Sequence, residues 1–368
     1  MKARKYKVIG LMSGTSLDGL DIAYCHFGQI EGVWQFEIIA ANTFTYDEAW
    51  QKRLQDITKT SGEELMQTHQ ELGVWMGNAV NRFMKKHEVD PEFIASHGHT
   101  VFHQPEKGFT LQIGSSYAMH AQCGKPVISN FRDMDLALGG QGAPLVPIGD
   151  RLLFSHHDIC LNIGGIANIS AEVKGQRLAY DTCPANMVLN HFAQKLGHAY
   201  DKGGEIARTG QVNQSILDRL NTLEYYKAAF PKSLGYEWVL ENVISPMEKE
   251  ALSTEDMLAT LTHHVAQQIA ANVHLLLEAR MEASEQEASM MATGGGAFNT
   301  YLIECIREYS EGKFRIVLPN ELIISYKEAL IFAFLGVLRV RNEVNCLSSV
   351  TGASHDHSAG IFYGDLQV

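Results

Sequence analysis

The chain has 368 residues, 45% apolar and 20% charged, long enough for two domains that each bury a core. Thirty basic against forty-two acidic residues leave a net charge of −12 with no Lys/Arg cluster, a sign that repels nucleic-acid backbones and anionic lipid. Glycine (32) and proline (9) stand at ordinary levels, which excludes collagen and low-complexity disorder.

In chain order, Tyr6 to Ser13 reads as an apolar strand running into the small-residue turn Ser13-Gly14-Thr15-Ser16-Leu17-Asp18-Gly19. Strands are expected over Leu20 to Phe27 and Val33 to Thr45. Gly139-Gly140-Gln141-Gly142-Ala143-Pro144 is the expected hinge or inter-domain crossing, with a tight turn as the alternative. Ile159 to Gly165 repeats the strand-into-glycine grammar, and strands over Ile166 to Val173 and Arg177 to Thr182 follow. A helix opened by Pro184 should end at Gly197. Ser253-Thr254-Glu255-Asp256 resembles a capping box before a long helix with Leu258, Leu261, Val265, Ile269, Val273 and Leu276 on one stripe.

Met290 to Ala297 is the third strand that meets a glycine cluster. Asn299 is placed to cap a helix over Tyr301 to Tyr309, and Lys313 to Leu318 reads as a strand. Ser325-Tyr326-Lys327-Glu328 reads as a second capping box, opening a helix so apolar that it must be buried. Two strand–turn–strand–turn–strand meanders, each followed by helices, imply α/β architecture built from a duplicated βββα unit.

The longest uncharged apolar run, Ala329 to Leu338, is about half a membrane span. The basic N-terminus meets Ser13 too early for a signal peptide. Cysteines at 25, 123, 160, 183, 305 and 346 form no Cys-x-x-Cys pair and read as reduced, buried small hydrophobes. A cytoplasmic protein is expected.

Common nucleotide and hydrolase motifs are missing: no G-x-x-x-x-G-K-[ST], no G-x-G-x-x-G after a strand, no G-x-S-x-G and no H-E-x-x-H. The Ser13–Gly19 turn offers backbone N–H groups and hydroxyls without bulk, which suits a phosphate. Asp18 then makes sense if Mg²⁺ lies between it and the phosphates; the alternative is turn geometry alone. His97, His99 and His103 lack a further ligand at metal spacing. The adjacent pairs His156/His157 and His263/His264 read as surface residues, and Met281, Met290 and Met291 as core filler.

The three glycine-rich strand ends resemble those of the actin, hexokinase and Hsp70 ATPase superfamily. The block Gly10-Leu11-Met12-Ser13-Gly14-Thr15-Ser16-Leu17-Asp18-Gly19-Leu20-Asp21 resembles the opening signature of the anhydro-N-acetylmuramic acid kinase family. Ser96-His97-Gly98-His99-Thr100, Asn130-Phe131-Arg132-Asp133-Met134-Asp135, the Gly139–Pro147 stretch, Leu161–Asn168, Asp181–Asn186 and Thr293–Ala297 agree in kind and order. Cys183 departs from the family's Asp-Thr-Gly-Pro, which puts turn geometry in doubt but not the carboxylate.

The resemblance implies a duplicated βββαβα actin-like ATPase (ribonuclease H-like) fold, with ATP and sugar in a cleft between two domains. Residues 1–128 plus about 345–368 would form domain I, and 129–344 domain II. It implies ATP-dependent hydrolytic opening of 1,6-anhydro-N-acetylmuramic acid to the 6-phosphate and ADP, in peptidoglycan recycling. Asp181 matches the catalytic aspartate that would deprotonate water. Met12, Ser13, Gly14, Thr15, Ser16, Leu17, Asp18, Gly19, Gly164, Gly165, Gly294, Gly295 and Gly296 would bind ATP. His97, Arg132 and Glu328 would contact the sugar, Arg132 its lactyl carboxylate, and Asp18 would hold Mg²⁺. A small-molecule substrate is expected, with no nucleic-acid or membrane partner; a homodimer is compatible. The competing readings are another sugar kinase of the superfamily and an ATP-switched binding protein of actin or Hsp70 type.

Overall fold

The computed structural model describes residues 4–14, 17–280 and 287–365. In chain order its strands are β1 (Tyr6–Ser13), β2 (Gly19–Ile30), β3 (Val33–Thr45), β4 (Phe93–Gln104), β5 (Phe109–Ile113), β6 (Val127–Ser129), β7 (Ile159–Ile163), β8 (Ile166–Val173), β9 (Gln176–Pro184), β10 (Ala288–Thr293), β11 (Phe314–Val317) and β12 (Ile361–Tyr363). They build two sheets, ordered β12-β6-β4-β1-β2-β3 with β5 on β4, and β11-β10-β7-β8-β9.

Each sheet carries the same five-strand core. In the first, β1, β2 and β3 are antiparallel neighbours, while β4 runs parallel to β1 and β6 parallel to β4. In the second, β7, β8 and β9 form the meander, β10 runs parallel to β7, and β11 parallel to β10. Parallel neighbours need crossover connections, and helices supply them, so the central strands are apolar on both faces. Val8, Ile9 and Leu11 of β1 are fully buried, as are Ile159, Leu161 and Ile163 of β7. The duplication expected from two meanders is therefore real.

The chain divides into two compact units, Met1–Leu153 with Tyr326–Val368, and Phe154–Ser325. These divisions differ from the expected crossings at 128/129 and 344/345, and local packing in the first unit explains why. The Gly139–Pro144 stretch is no crossing: the Gly140 N–H donates to the Asp135 carbonyl (2.8 Å), that of Gly142 to Asp135 Oδ2 (2.6 Å), and that of Gln141 to the Thr351 carbonyl (2.8 Å). Gly149 lies so close to Ile331 that a Cβ would sit 2.6 Å from Cγ1.

In the first unit, the helix Gly62–His87 buries Leu72, Met76, Val80 and Phe83 among Ile9, Leu11, Ile22 and Ile94. In the second, the helix Thr254–Ala279 opens as expected, with Ser253 Oγ accepting from the Asp256 N–H at 3.1 Å. It sets Val265, Ile269, Val273 and Leu276 among Ile159, Leu161, Ile169 and Met290. Asn299 caps the helix Thr300–Glu308, again as expected.

Two expected helix starts move. Pro184 ends β9, and the helix Asn186–Lys195 follows Ala185, whose φ of −125° and ψ of −104° are not helical. The apolar helix runs Glu321–Val340, and Asn320 Oδ1 accepts from the Ile323 N–H at 2.9 Å. The Ser325–Glu328 box therefore lies within it, beside the non-helical backbone of Tyr326 (φ −120°, ψ 16°). Beyond that break, Leu330, Ile331, Phe332, Phe334, Leu335, Val337 and Leu338 are all buried, and Phe334 packs against Phe27 and Trp34.

Gly10 lets this helix approach β1. A Cβ there would lie 1.9 Å from the Ala329 carbonyl oxygen and 2.9 Å from the Ala333 nitrogen. Because the obstacle is backbone, Gly10→Ala is expected to destabilise the protein by at least the upper part of the ~1–3 kcal/mol range for overpacking. Urea unfolding checks this; an unchanged midpoint and slope would contradict the close packing.

Candidate active site

In the first unit, strand register brings the polar ends of β1, β2, β3 and β4 together. Met12 pairs with Asp21, Asp21 with Thr43, and Ser13 with His99. Ser13 is buried, and its Oγ lies 2.9 Å from the Tyr46 hydroxyl and 3.0 Å from His99 Nδ1. Its hydroxyl thus fixes the start of the turn. Gly14 accepts from the Leu17 N–H at 3.4 Å, Leu17 adopts φ +60°, and Asp18 is exposed. Thr15 and Ser16 lie outside the described residues. At Gly19 a Cβ would sit 2.4 Å from the Phe44 carbonyl oxygen, so only glycine fits against β3. Asp21 accepts from the Thr43 hydroxyl at 2.5 Å, and burial, with Asp18 adding to it, pushes its carboxyl above the usual range.

His97 and Arg132, expected as separate sugar contacts, are partners. Arg132 Nε and Nη2 donate to His97 Nε2 at 3.1 and 2.8 Å, and Nη1 donates to the Gly142 carbonyl at 2.6 Å. His97 Nδ1 faces the Gly98 carbonyl at 3.0 Å, so the ring donates there and accepts from Arg132. Both ring nitrogens are engaged, which leaves His97 to orient the guanidinium. Burial lowers Arg132 to about 10 against the opposing pull of Glu328. Glu328 is pushed up by burial and then by Asp21, while Lys327 and Arg132 lower it.

In the second unit, one rung of the sheet carries the polar groups. Thr293 pairs with Asn162, Asn162 with Asn168, and Asn168 with Asp181. The β8–β9 register shifts beside this rung, so that Ala167 meets Cys183 and Thr182 is the extra residue. Asp181 Oδ2 accepts from the Leu234 N–H at 2.9 Å, and its carbonyl accepts from the Tyr225 hydroxyl at 2.6 Å. Burial pushes the Asp181 carboxyl above the usual range, and the Leu234 bond only partly offsets it. It caps no helix: Ala185 stands at that position without a side-chain bond.

The glycines divide by role. Carbonyls of Gly164 and Gly165 accept from Asn186, Ala185 and Met187, which seats the β7–β8 turn on the start of a helix. Gly294 has φ +81° and would drive a Cβ to 2.5 Å from Asn162 Oδ1; at Gly296 a Cβ would sit 2.2 Å from Ile163 Cγ2. Gly295 is open, its nearest contact Asn186 Nδ2 at 3.7 Å. Gly294 and Gly296 are thus required by packing on β7, and Gly295 is left as the bare surface.

Sequence reasoning did not single out Asp21, Tyr46, Asn162 or Tyr225. Asp21 alone left a signal, as a lone charge in the apolar strand Leu20–Phe27. It also misplaced His264, which is fully buried between the Tyr226 hydroxyl (2.8 Å) and Asn221 Oδ1 (2.7 Å). Met290 and Met291 are core residues as expected, and Met281 lies outside the described residues.

Buried histidines give the protein an acid limit. Burial lowers His99 to about 4 and His264 to about 3, and holds His97 well below 6.5. A depressed pKa means the unfolded chain binds the proton more readily. The stability these groups contribute is present above about pH 6.5 and is lost as pH falls through the folded values. His99→Gln should remove up to ~1.4 kcal/mol per pH unit from that dependence between pH 6.5 and 4. Urea unfolding at pH 7 and pH 5 tests it; an unchanged difference between the two would contradict the assignment.

Two copies of one α/β unit, each with a glycine-bearing turn between its first two strands, mark the duplicated architecture of the actin-like fold. A model of the family described as anhydro-N-acetylmuramic acid kinase matches residues 6–365. The anhydro-N-acetylmuramic acid kinase of Acinetobacter baylyi is 31% identical over 367 residues, covering 94% of this chain and 96% of that protein. That of Actinobacillus pleuropneumoniae serotype 3 is 34% identical over 374 residues, covering 96% and 98%. The chain belongs to the anhydro-N-acetylmuramic acid kinase family, a family of sugar kinases that use ATP. Among solved structures, the activator of 2-hydroxyisocaproyl-CoA dehydratase from Clostridium difficile with bound ADPNP is similar at 15% identity and a TM-score of 0.42, covering 91% of this chain and 97% of that one. Among the described residues no helix is long and apolar enough to cross a membrane.

Proposed function

We propose that this protein converts 1,6-anhydro-N-acetylmuramic acid, ATP and water to N-acetylmuramic acid 6-phosphate and ADP, in the cytoplasm, as a step of peptidoglycan recycling. The family match over residues 6–365 carries this reading. Asp181 is the general base: its carboxyl is half-buried, held by Leu234 on one oxygen, and raised toward the operating pH. It takes a proton from water as the water attacks the anomeric carbon. The bridging oxygen leaves as the new O6 and is captured by the γ-phosphoryl group of ATP. This is inverting glycoside hydrolysis with a phosphoryl group in the place of the general acid.

Arg132, oriented by His97, is the donor for the lactyl carboxylate, which a planar guanidinium meets bidentately. Glu328 is the second polar contact to the sugar. The turn residues Met12 to Gly19 and the glycines 164, 165 and 294–296 serve the nucleotide. Asp18 and Asp21 on one hairpin, close enough for one to raise the other's carboxyl, fit a divalent cation. Mg²⁺ bound there would neutralise phosphoryl charge.

The test is ADP release in a coupled assay. Release that requires the anhydro sugar, with 6-phosphate formed in equal amount, is expected. Release driven by plain hexoses would replace this reading with another sugar kinase, and sugar-independent release with an ATP-switched binding protein.

A further inference from the structure

In the first unit, beside the turn that carries Arg132, three chemically mixed ligands meet in the interior. Asp135, Cys346 and His357 are buried, and one ligand atom of each lies within 4.8 Å of the others. Cys346 and His357 face one another in an isolated antiparallel bridge, each N–H donating to the other's carbonyl at 3.1 and 3.2 Å. Asp135 Oδ1 is 3.7 Å from Cys346 Sγ and 3.6 Å from His357 Nε2.

Hydrogen bonding leaves one buried ring nitrogen of this cluster unfilled. His357 Nδ1 lies 3.2 Å from the His355 carbonyl, which only accepts, so Nδ1 carries a proton. Nε2, buried and without a hydrogen-bond partner, faces the Asp135 carboxylate. At 3.6 Å the pair is too far apart for a charge-assisted hydrogen bond, which would be about 2.7–2.9 Å. The remaining bonds to Asp135 come from the Thr351 hydroxyl on Oδ1 and the Gly142 N–H on Oδ2, each at 2.6 Å.

We propose that Asp135, Cys346 and His357 bind a zinc ion as three protein ligands, with water in the fourth position. Zinc takes thiolate, imidazole and carboxylate together, at about 2.3, 2.0 and 2.1 Å. Tetrahedral angles at those lengths put sulfur and oxygen about 3.6 Å apart, and nitrogen and oxygen about 3.4 Å apart. The observed 3.7 and 3.6 Å lie within a few tenths of an ångström of those values, and all three ligand atoms fall within 4.8 Å of one another. Thiolate sulfur selects zinc over Mg²⁺. Binding releases the Cys346 proton to solvent, and thiolate plus carboxylate balance the metal's two charges. The Thr351 hydroxyl and the His355 carbonyl are the outer-shell partners that such ligands use. The metal would tie the 345–357 segment to the turn that carries Arg132. No Cys-x-x-Cys announces it, because the ligands come from separate parts of the chain.

The full chain, stripped with chelator and titrated with Co²⁺, tests the site. One equivalent is expected to give a thiolate charge-transfer band near the ultraviolet and strong visible bands of a tetrahedral ion, both removed by one equivalent of Zn²⁺. Cys346→Ser should abolish the charge-transfer band. Thr351→Val should weaken Zn²⁺ binding by the roughly 10–100-fold typical of an outer-shell loss, and His357→Gln by more. In the unsubstituted chain Zn²⁺ should raise the melting temperature, a readout independent of any variant's folding. Weak octahedral absorption with no thermal shift would overturn the proposal in favour of an imidazolium–carboxylate pair. A thiolate band that persists in Cys346→Ser would assign the metal to another cysteine and overturn it equally.

Discussion

Replacing Asp181 with asparagine is expected to cut turnover by 10²- to 10⁴-fold, the loss typical of a general base, about 3–5 kcal/mol in the barrier. Asparagine keeps the volume and can still accept from the Leu234 N–H that Oδ2 now accepts at 2.9 Å. Burial raises this carboxyl, so the folded state pays to hold its charge at neutral pH. A raised carboxyl stabilises the fold only under acid conditions and loses that contribution as pH climbs through its folded value. The variant should therefore be as stable as the parent at pH 7, or more so, and still bind ATP. In the unsubstituted enzyme the acid limb of the pH–rate profile should lie above the ordinary carboxylate value of about 4. Both products should vanish together, because ring opening and phosphoryl capture are one linked event. A folded variant that makes the 6-phosphate at the parent's rate would end the general-base assignment.

Asp150→Asn is expected to cost about 3–5 kcal/mol, the toll of leaving one member of a buried ion pair uncompensated. Asp150, in the helix Pro147–Leu153, meets Lys327 Nζ at 2.7 Å, and each side chain is only 5% exposed. Lys327→Met should cost a similar amount and should also push Glu328 higher, since Lys327 now lowers it. Removing both charges at once, as Asp150→Leu with Lys327→Met, should recover most of the loss, because apolar side chains of similar volume replace such pairs at little cost. Urea unfolding of the three variants decides the matter. Single variants within about 1 kcal/mol of the parent would show the pair to be solvated like a surface one.

Periodicity and turn chemistry are local, and what they encode was legible in the sequence. The two meanders, the three glycine-bearing strand ends, the Ser253 and Asn299 caps and the burial of Ala329 to Leu338 all stand where the residues place them. The opening block with Asp18 and Asp21, and the later blocks in order, were enough to point to the family. Pairings between distant segments were not legible, because the sequence pattern along one strand does not name its neighbour. Register alone put Asn162, Asn168 and Asp181 on one rung, and packing alone made His97 the partner of Arg132. The Gly139–Pro144 stretch looked like a hinge because glycines permit bending, yet Asp135 and Thr351 hold it within the first unit. Pro184 and the Ser325 box read as helix starts on local preference, but sheet pairing kept the first in β9 and the helix from Glu321 absorbed the second. Local preferences are worth a few tenths of a kcal/mol to about 1 kcal/mol each, and tertiary burial, worth several, decides where they conflict.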